Sequence, residues 1–194
     1  MNDTEQTRYV AFANSERFAA GTLPQMAVAV KTAVDQGVPA SILLFDEETG
    51  ELVDLDLRGS LDDVRARYGQ TKAQLPVSRG PGRPRLGVIA REVTLLPRHW
   101  EWLNTQPGGA SVALRRLVDE ARRTGAGRDR SRRSQEATYR FILAIAGDQP
   151  GFEEATRALF AGDRGRFVQC IQSWPPDVRN QAERLAADAF GDEG

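Results

Sequence analysis

Apolar residues recur at helical spacing between Leu23 and Asp35, where Met26, Ala27, Val30, Ala33 and Val34 share one face. That period predicts an amphipathic helix, and Gly37 and Pro39 end it. On either side the pattern turns strand-like. Arg8 to Phe12 is a short strand candidate, and Ser41–Phe45 and Leu52–Leu57 read as two strands around a turn at Asp46–Gly50. In the second of these, Val53, Leu55 and Leu57 alternate with Asp54 and Asp56. Ser60 is placed to cap a short helix, Leu61 to Tyr68, with Asp62 and Asp63 in its first turn. Residues 1–68 therefore predict a small β-α-β-β domain.

Periodicity then fades. Residues 69–90 are rich in Gly, Pro, Gln, Lys and Arg and read as a basic linker. Alternation returns at Arg91-Glu92-Val93-Thr94-Leu95-Leu96, a strand pattern with Val93 and Leu95 inward. Pro97 suits the first turn of a helix, which would run to Gln106 and bury Trp100 and Leu103. Pro107-Gly108-Gly109 ends it. A second helix starts at Ser111 or at the Gly109-Ala110 peptide, and Leu114, Leu117, Val118 and Ala121 form its apolar stripe. Residues 91–123 thus predict a strand–helix–helix module, and 124–134 a second basic linker. Residues 135–194 read as a helical domain, with helices over about 135–146, 151–160, 164–173 and 177–190. The words Ala146-Gly147-Asp148 and Ala161-Gly162-Asp163 each supply a helix stop and a candidate cap for the next helix. The expected fold class is α+β.

Charge changes the picture most. Residues 79–133 hold 13 of the 26 basic residues and five acids, a net +8, whereas residues 1–78 carry −5 and residues 134–194 carry −4. The overall −1 hides a polarised molecule, and a basic block inside an acidic chain is the footprint of a nucleic-acid contact. The longest apolar runs are far too short to span a bilayer, and the sequence MNDTEQTRYV lacks the apolar core of a signal peptide. The reading is a cytoplasmic protein.

Enzyme chemistry finds little footing. The single cysteine, Cys170, excludes an internal disulfide and a cysteine-based zinc site, and its setting FVQCIQSW suits a packed thiol. His99 is the only histidine and has no second ligand for a metal. Asp54 and Asp56 share a strand face, but no base, phosphate loop or metal set accompanies them, so they read as solvated. The crowded carboxylates Asp46, Glu47, Glu48 and Glu51 do not match calcium-loop spacing. No cofactor is expected and the chain reads as a non-enzyme.

The words REVTLLP, WEWL, PGGAS and VALRRLVDEAR, over Arg91 to Arg123, resemble the ribbon-helix-helix family of bacterial DNA-binding proteins. That resemblance implies a homodimer whose paired strands enter the major groove. It implies base contacts from Glu92 and Thr94 and a phosphate clamp at Gly109, Ala110 and Ser111, a helix N-terminus with free N–H groups. Arg91, Arg98, Arg115 and Arg116 would reach the backbone. Glu92 departs from what phosphates favour, although a carboxylate accepts from cytosine N4. A helix-turn-helix variant and an isolated helical hairpin fit the same two helices. Upstream, Arg79-Gly80-Pro81-Gly82-Arg83-Pro84-Arg85 resembles an AT-hook core, which implies that Arg79, Arg83 and Arg85 enter a narrow A·T minor groove. The longer words RGPGRPRLGVIAREVTLLPRHWEWLNTQPGGAS and YRFILAIAGDQPGFEEATRALFAGD resemble a bacterial domain family of unassigned function.

These readings converge on a dimeric protein that binds double-stranded DNA through residues 79–133, as a transcriptional regulator or nucleoid-associated factor. Two alternatives stay open. One is an antitoxin-like adaptor whose basic segment folds on an acidic partner, with the acidic flanks offering further protein contacts. The other is RNA binding, since charge alone does not separate RNA from duplex DNA. The arginines 115, 116, 122 and 123 also have a structural use, in i,i+4 pairs with Asp119 and Glu120.

Overall fold

A computed structural model describes residues 8–38, 41–69 and 91–191. Among them are a three-stranded antiparallel sheet and seven helices, a mixed α and β fold that is mostly helical. The elements are β1 (Tyr9–Ala13), β2 (Glu16–Gly21), α1 (Leu23–Asp35), β3 (Ile42–Asp46), α2 (Leu61–Gly69), α3 (Pro97–Asn104), α4 (Ala110–Ala146), α5 (Phe152–Ala161), α6 (Arg164–Ile171) and α7 (Pro176–Leu185). The chain divides into two compact units, one of Met1–Thr71 with Gly127–Gly194, the other of Lys72–Ala126. The segments read separately as 1–68 and 135–194 thus fall in a single unit.

The reason lies in β1, the central strand of the order β2-β1-β3. Val10, Ala11 and Phe12 are all fully buried, so this strand has no solvent face and needs cover on both sides. Val10 and Phe12 join Phe45 and the helical residues Phe141, Ile142, Leu159, Phe167 and Val178 in one cluster. Ala11 instead joins Met26 and Val30 of α1 and Leu44 of β3 in a second. Three rings meet at the first cluster. Phe45 stands 4.8 Å from Phe141 and Phe12 stands 5.5 Å from it, in edge-on or tilted arrangements that aromatic quadrupoles favour. Trp174 is also buried, and its Nε1 donates to the Pro150 carbonyl at 2.9 Å.

Helix α1 forms where its period predicted it, and the Gln25 side chain accepts from the Thr22 N–H at its start. Ser60 caps α2, its Oγ accepting from Asp63 N while Asp63 accepts in return from Ser60 N. At the second Ala-Gly-Asp word, Gly162 closes α5 at φ 74° and Asp163 opens α6 by accepting from Arg166 N. At the first word the helix start is instead Gly151.

Besides residues 91–96, which form no strand, three elements differ from the sequence reading. Glu16–Gly21 is a strand, joined to β1 through Asn14 at φ 56°. At this edge the Arg17 N–H donates to Asp177 Oδ2 of α7 at 2.9 Å. Leu52–Leu57 is not a strand: Leu52 alone forms a bridge, to Phe45. The Val53 N–H still donates to the Leu44 carbonyl at 2.8 Å, but at Asp56 the backbone turns to α2, where Tyr68 Oη accepts from Asp56 N and Arg67 donates to the Asp56 carbonyl. The third difference is the stretch 124–134, which is helical within α4. Gly125 and Gly127 each cost about 1 kcal/mol there. Docking offsets this: Ser131 Oγ donates to the Ala189 carbonyl, Ser134 Oγ to that of Leu185, and Gln135 Nε2 to those of Leu159 and Ala189.

The tip between β3 and Leu52 seats against α4. Asp46 Oδ1 accepts from Glu48 N and Thr49 N, folding the tip, and Arg140 of α4 donates to the Thr49 carbonyl. Gly50 sits at φ 67°, and a Cβ there would lie 2.0 Å from the Ala137 carbonyl oxygen. Gly50→Ala should therefore cost at least about 2 kcal/mol, combining left-handed strain with a backbone clash. Gly162→Ala, equally left-handed but with nothing within 4 Å, should cost only about 1 kcal/mol. Urea denaturation of both variants measures the gap, and equal losses would refute the close seating.

Candidate nucleic-acid interface

The unit Lys72–Ala126 is described from residue 91 onward. Leu96, extended at φ −67° and ψ 150°, leads into Pro97 at the first position of α3, where a missing N–H is harmless. Gly108 and Gly109 take φ 83° and 75°, turning the chain into α4. Among the described residues of this unit only Leu103 and Ala113 are buried. Val93, Leu96, Trp100, Trp102, Leu117 and Val118 remain between 37% and 55% exposed, so the described part of this unit has almost no core of its own.

The structure sorts the predicted site residues into three groups. Arg79, Arg83 and Arg85 lie outside the described residues. Arg91, Glu92 and Thr94 are exposed, but residues 91–96 form no strand and make no ladder. Their alternation supplies a strand face, while a ladder also requires a partner strand. The third group is held on regular structure. Arg98 is on α3, and Ala110, Ser111, Arg115 and Arg116 are on α4. Of the predicted clamp, the Gly109 N–H donates to the Gln106 carbonyl at 3.0 Å. The N–H groups of Ala110 and Ser111 have no backbone acceptor among the described residues, which leaves two donors at this helix start.

At about 100° per residue, Arg115, Arg116, Arg122 and Arg123 fall within about 120° of arc on α4. Leu114, Leu117, Val118 and Ala121 occupy a different arc. All four arginines are exposed. Among the described residues none of them, nor Arg91 or Arg98, lies within 4.0 Å of a carboxylate. The i,i+4 pairs with Asp119 and Glu120 do not form. Arg115 Nε and Arg123 Nε donate instead to the Ser111 and Asp119 carbonyls, which leaves their outer guanidinium donors facing solvent.

Arg128, Arg130, Arg132 and Arg133, in a stretch whose composition predicts a linker, stand on α4, with Arg132 3.5 Å from Asp129. The i,i+3 spacing of that pair is the local signal for helix that the two glycines obscured. Asp56 is paired with Arg58 at 2.7 Å and Arg67 at 3.6 Å, and hydrogen bonds from Arg58 hold its carboxyl well below the usual carboxylate range. Cys170 is a free, half-buried thiol. Among the described residues no group of three His, Cys, Asp or Glu side chains could hold a metal, and no helix is long and apolar enough to cross a membrane.

The family model described as "Uncharacterized protein conserved in bacteria (DUF2239)" matches residues 8–186. No curated protein and no solved structure matches the chain.

Proposed function

Since the chain belongs to this bacterial family, with the match covering nearly its whole length, we propose from its own surface chemistry that it is a dimeric DNA-binding protein. It would act as a transcriptional regulator or nucleoid-associated factor. The observation that carries this reading is the arc of four arginines on α4 that have no carboxylate partner among the described residues, inside a segment of net charge +8. Exposed guanidinium groups without carboxylate partners are free to bind phosphates bidentately and release counterions. The Ala110 and Ser111 N–H groups add two donors for an anion at the start of the same helix.

Dimerisation fits the exposed apolar residues of the second unit. Two copies that cover Leu117 and Val118 leave both arginine arcs free, because the two sets lie on separate arcs. Pairing of residues 91–96 from two copies would supply the ladder that one chain lacks, and would place Glu92 and Thr94 toward base edges. Arg79, Arg83 and Arg85 would then reach an adjacent A·T minor groove. The same exposed apolar side chains favour a second reading, the protein-interaction adaptor.

Fluorescence anisotropy of labelled A·T-rich and G·C-rich duplexes across a salt series separates these readings. The expected result is binding that weakens steeply with salt and prefers the A·T duplex. A steep slope without preference would remove the minor-groove arm. No binding at low salt would overturn the DNA reading and favour the adaptor.

A further inference from the structure

Within the first unit, the second half of α4, the tip at 46–50 and the end of α7 enclose a half-open cavity of about 640 Å³. That volume is in the range of small-molecule sites. Its charges are sorted by element. Arg130, Arg133, Glu136 and Arg140 come from α4, Glu47 and Glu48 from the tip, and Arg184 and Asp188 from α7 and the turn after it.

Several of these are already engaged. The Glu47 side chain, 12% exposed, lies 3.4 Å from Arg184 and 4.0 Å from Arg17. Glu47 thus links the tip to β2 and α7. Arg140 stands 3.7 Å from Glu136 and 3.8 Å from Glu51 and donates to the Thr49 carbonyl. Arg130, Arg133, Glu48 and Asp188 have no oppositely charged side chain within 4.0 Å among the described residues. Two uncommitted cations thus stand on the helix, and two uncommitted carboxylates on the tip and the turn after α7.

An ion of either sign entering this cavity would gain from one pair and be repelled by the other. A ligand with both charges gains from each. We propose that the cavity binds a small zwitterion of the amino-acid class. Its carboxylate meets the guanidinium groups of Arg130 and Arg133, whose fork geometry suits a carboxylate. Its ammonium meets Glu48 and Asp188. This site uses none of the four arginines of the α4 arc, although Arg130 and Arg133 belong to the same basic segment 79–133.

Calorimetric titration of the intact protein at low salt tests it. The probes are 4-aminobutyrate, 6-aminohexanoate and L-lysine, with hexanoate and hexylamine as single-charge controls. At least one zwitterion should bind about tenfold more tightly than both controls. The double variants Arg130→Gln with Arg133→Gln, and Glu48→Gln with Asp188→Asn, should each lose about tenfold in affinity. All four residues are exposed, and unchanged thermal melting of the variants shows that the fold survives. Zwitterions binding no better than the controls would overturn the proposal. So would hexanoate binding as tightly as 6-aminohexanoate, which marks a plain anion site, or affinities that neither double variant changes.

Discussion

Replacing Arg115, Arg116, Arg122 and Arg123 together with glutamine should lower duplex affinity at least about a hundredfold at about 0.1 M salt. Each phosphate contact contributes about 0.9 to the slope of log affinity against log salt concentration. If all four arginines contact phosphates, the slope should shrink by roughly 4 per chain. The loss should be similar on A·T-rich and G·C-rich duplexes, because phosphate contacts carry no direct sequence information. Arg157 provides the control. It is exposed but already paired with Glu153 and Glu154, so Arg157→Gln should leave both affinity and slope unchanged. The mutated helix face carries no buried side chain among these four positions, so folding is preserved. A quadruple variant with the parent's salt slope would place the nucleic-acid contact elsewhere or nowhere.

The largest stability effect is expected at Phe141. Its fully buried ring touches both Phe12 and Phe45, and therefore joins β1, β3 and α4. Phe141→Ala should cost about 3–5 kcal/mol, the lost transfer energy of the ring plus the cavity left behind. Its neighbour two residues on, Leu143, is 51% exposed, and Leu143→Ala should cost less than about 0.5 kcal/mol. Urea unfolding followed by circular dichroism gives both values. The Phe141→Ala loss should appear as one shifted transition for sheet and C-terminal helices together. Two separated transitions would mean that residues 8–69 and 127–191 do not fold as one unit.

Much of this arrangement was legible locally. The 3.6-residue period located α1, and the side chains of Ser60 and Asp163 and the left-handed Gly162 marked helix ends through chemistry within a few residues. Elements that depend on distant partners were not. β2 reads Glu-Arg-Phe-Ala-Ala-Gly, with no alternation and with only Phe18 favoured in strands; it exists because β1 beside it needs a partner strand. The stretch 124–134 looked like a linker because of Gly125 and Gly127. Its helix is held by carbonyls of Leu159, Leu185 and Ala189, 24 to 58 residues away in sequence. Leu52–Leu57 failed in the opposite sense, its alternation intact but its backbone at Asp56 engaged by Arg67 and Tyr68. At the candidate interface, the arginine arc follows from helical spacing alone. Whether Asp119 and Glu120 neutralise it depends on rotamers, which spacing does not determine. The cavity was wholly illegible, since its charges come from three segments far apart in the chain.

The hydrogen bond from the Arg17 N–H to Asp177 has a consequence for how the sheet meets other molecules. β2 is one of the two edges of a three-stranded sheet, and such a margin is a template on which a foreign strand can grow. Here one of its backbone donors is already occupied, and the occupant is an ionised side chain at the first turn of a helix. An incoming strand would have to displace that carboxylate and accept its negative charge beside its own carbonyl oxygens. Asp177 therefore opposes edge-to-edge pairing at β2, a protection that the sheet owes to the chain's last described helix.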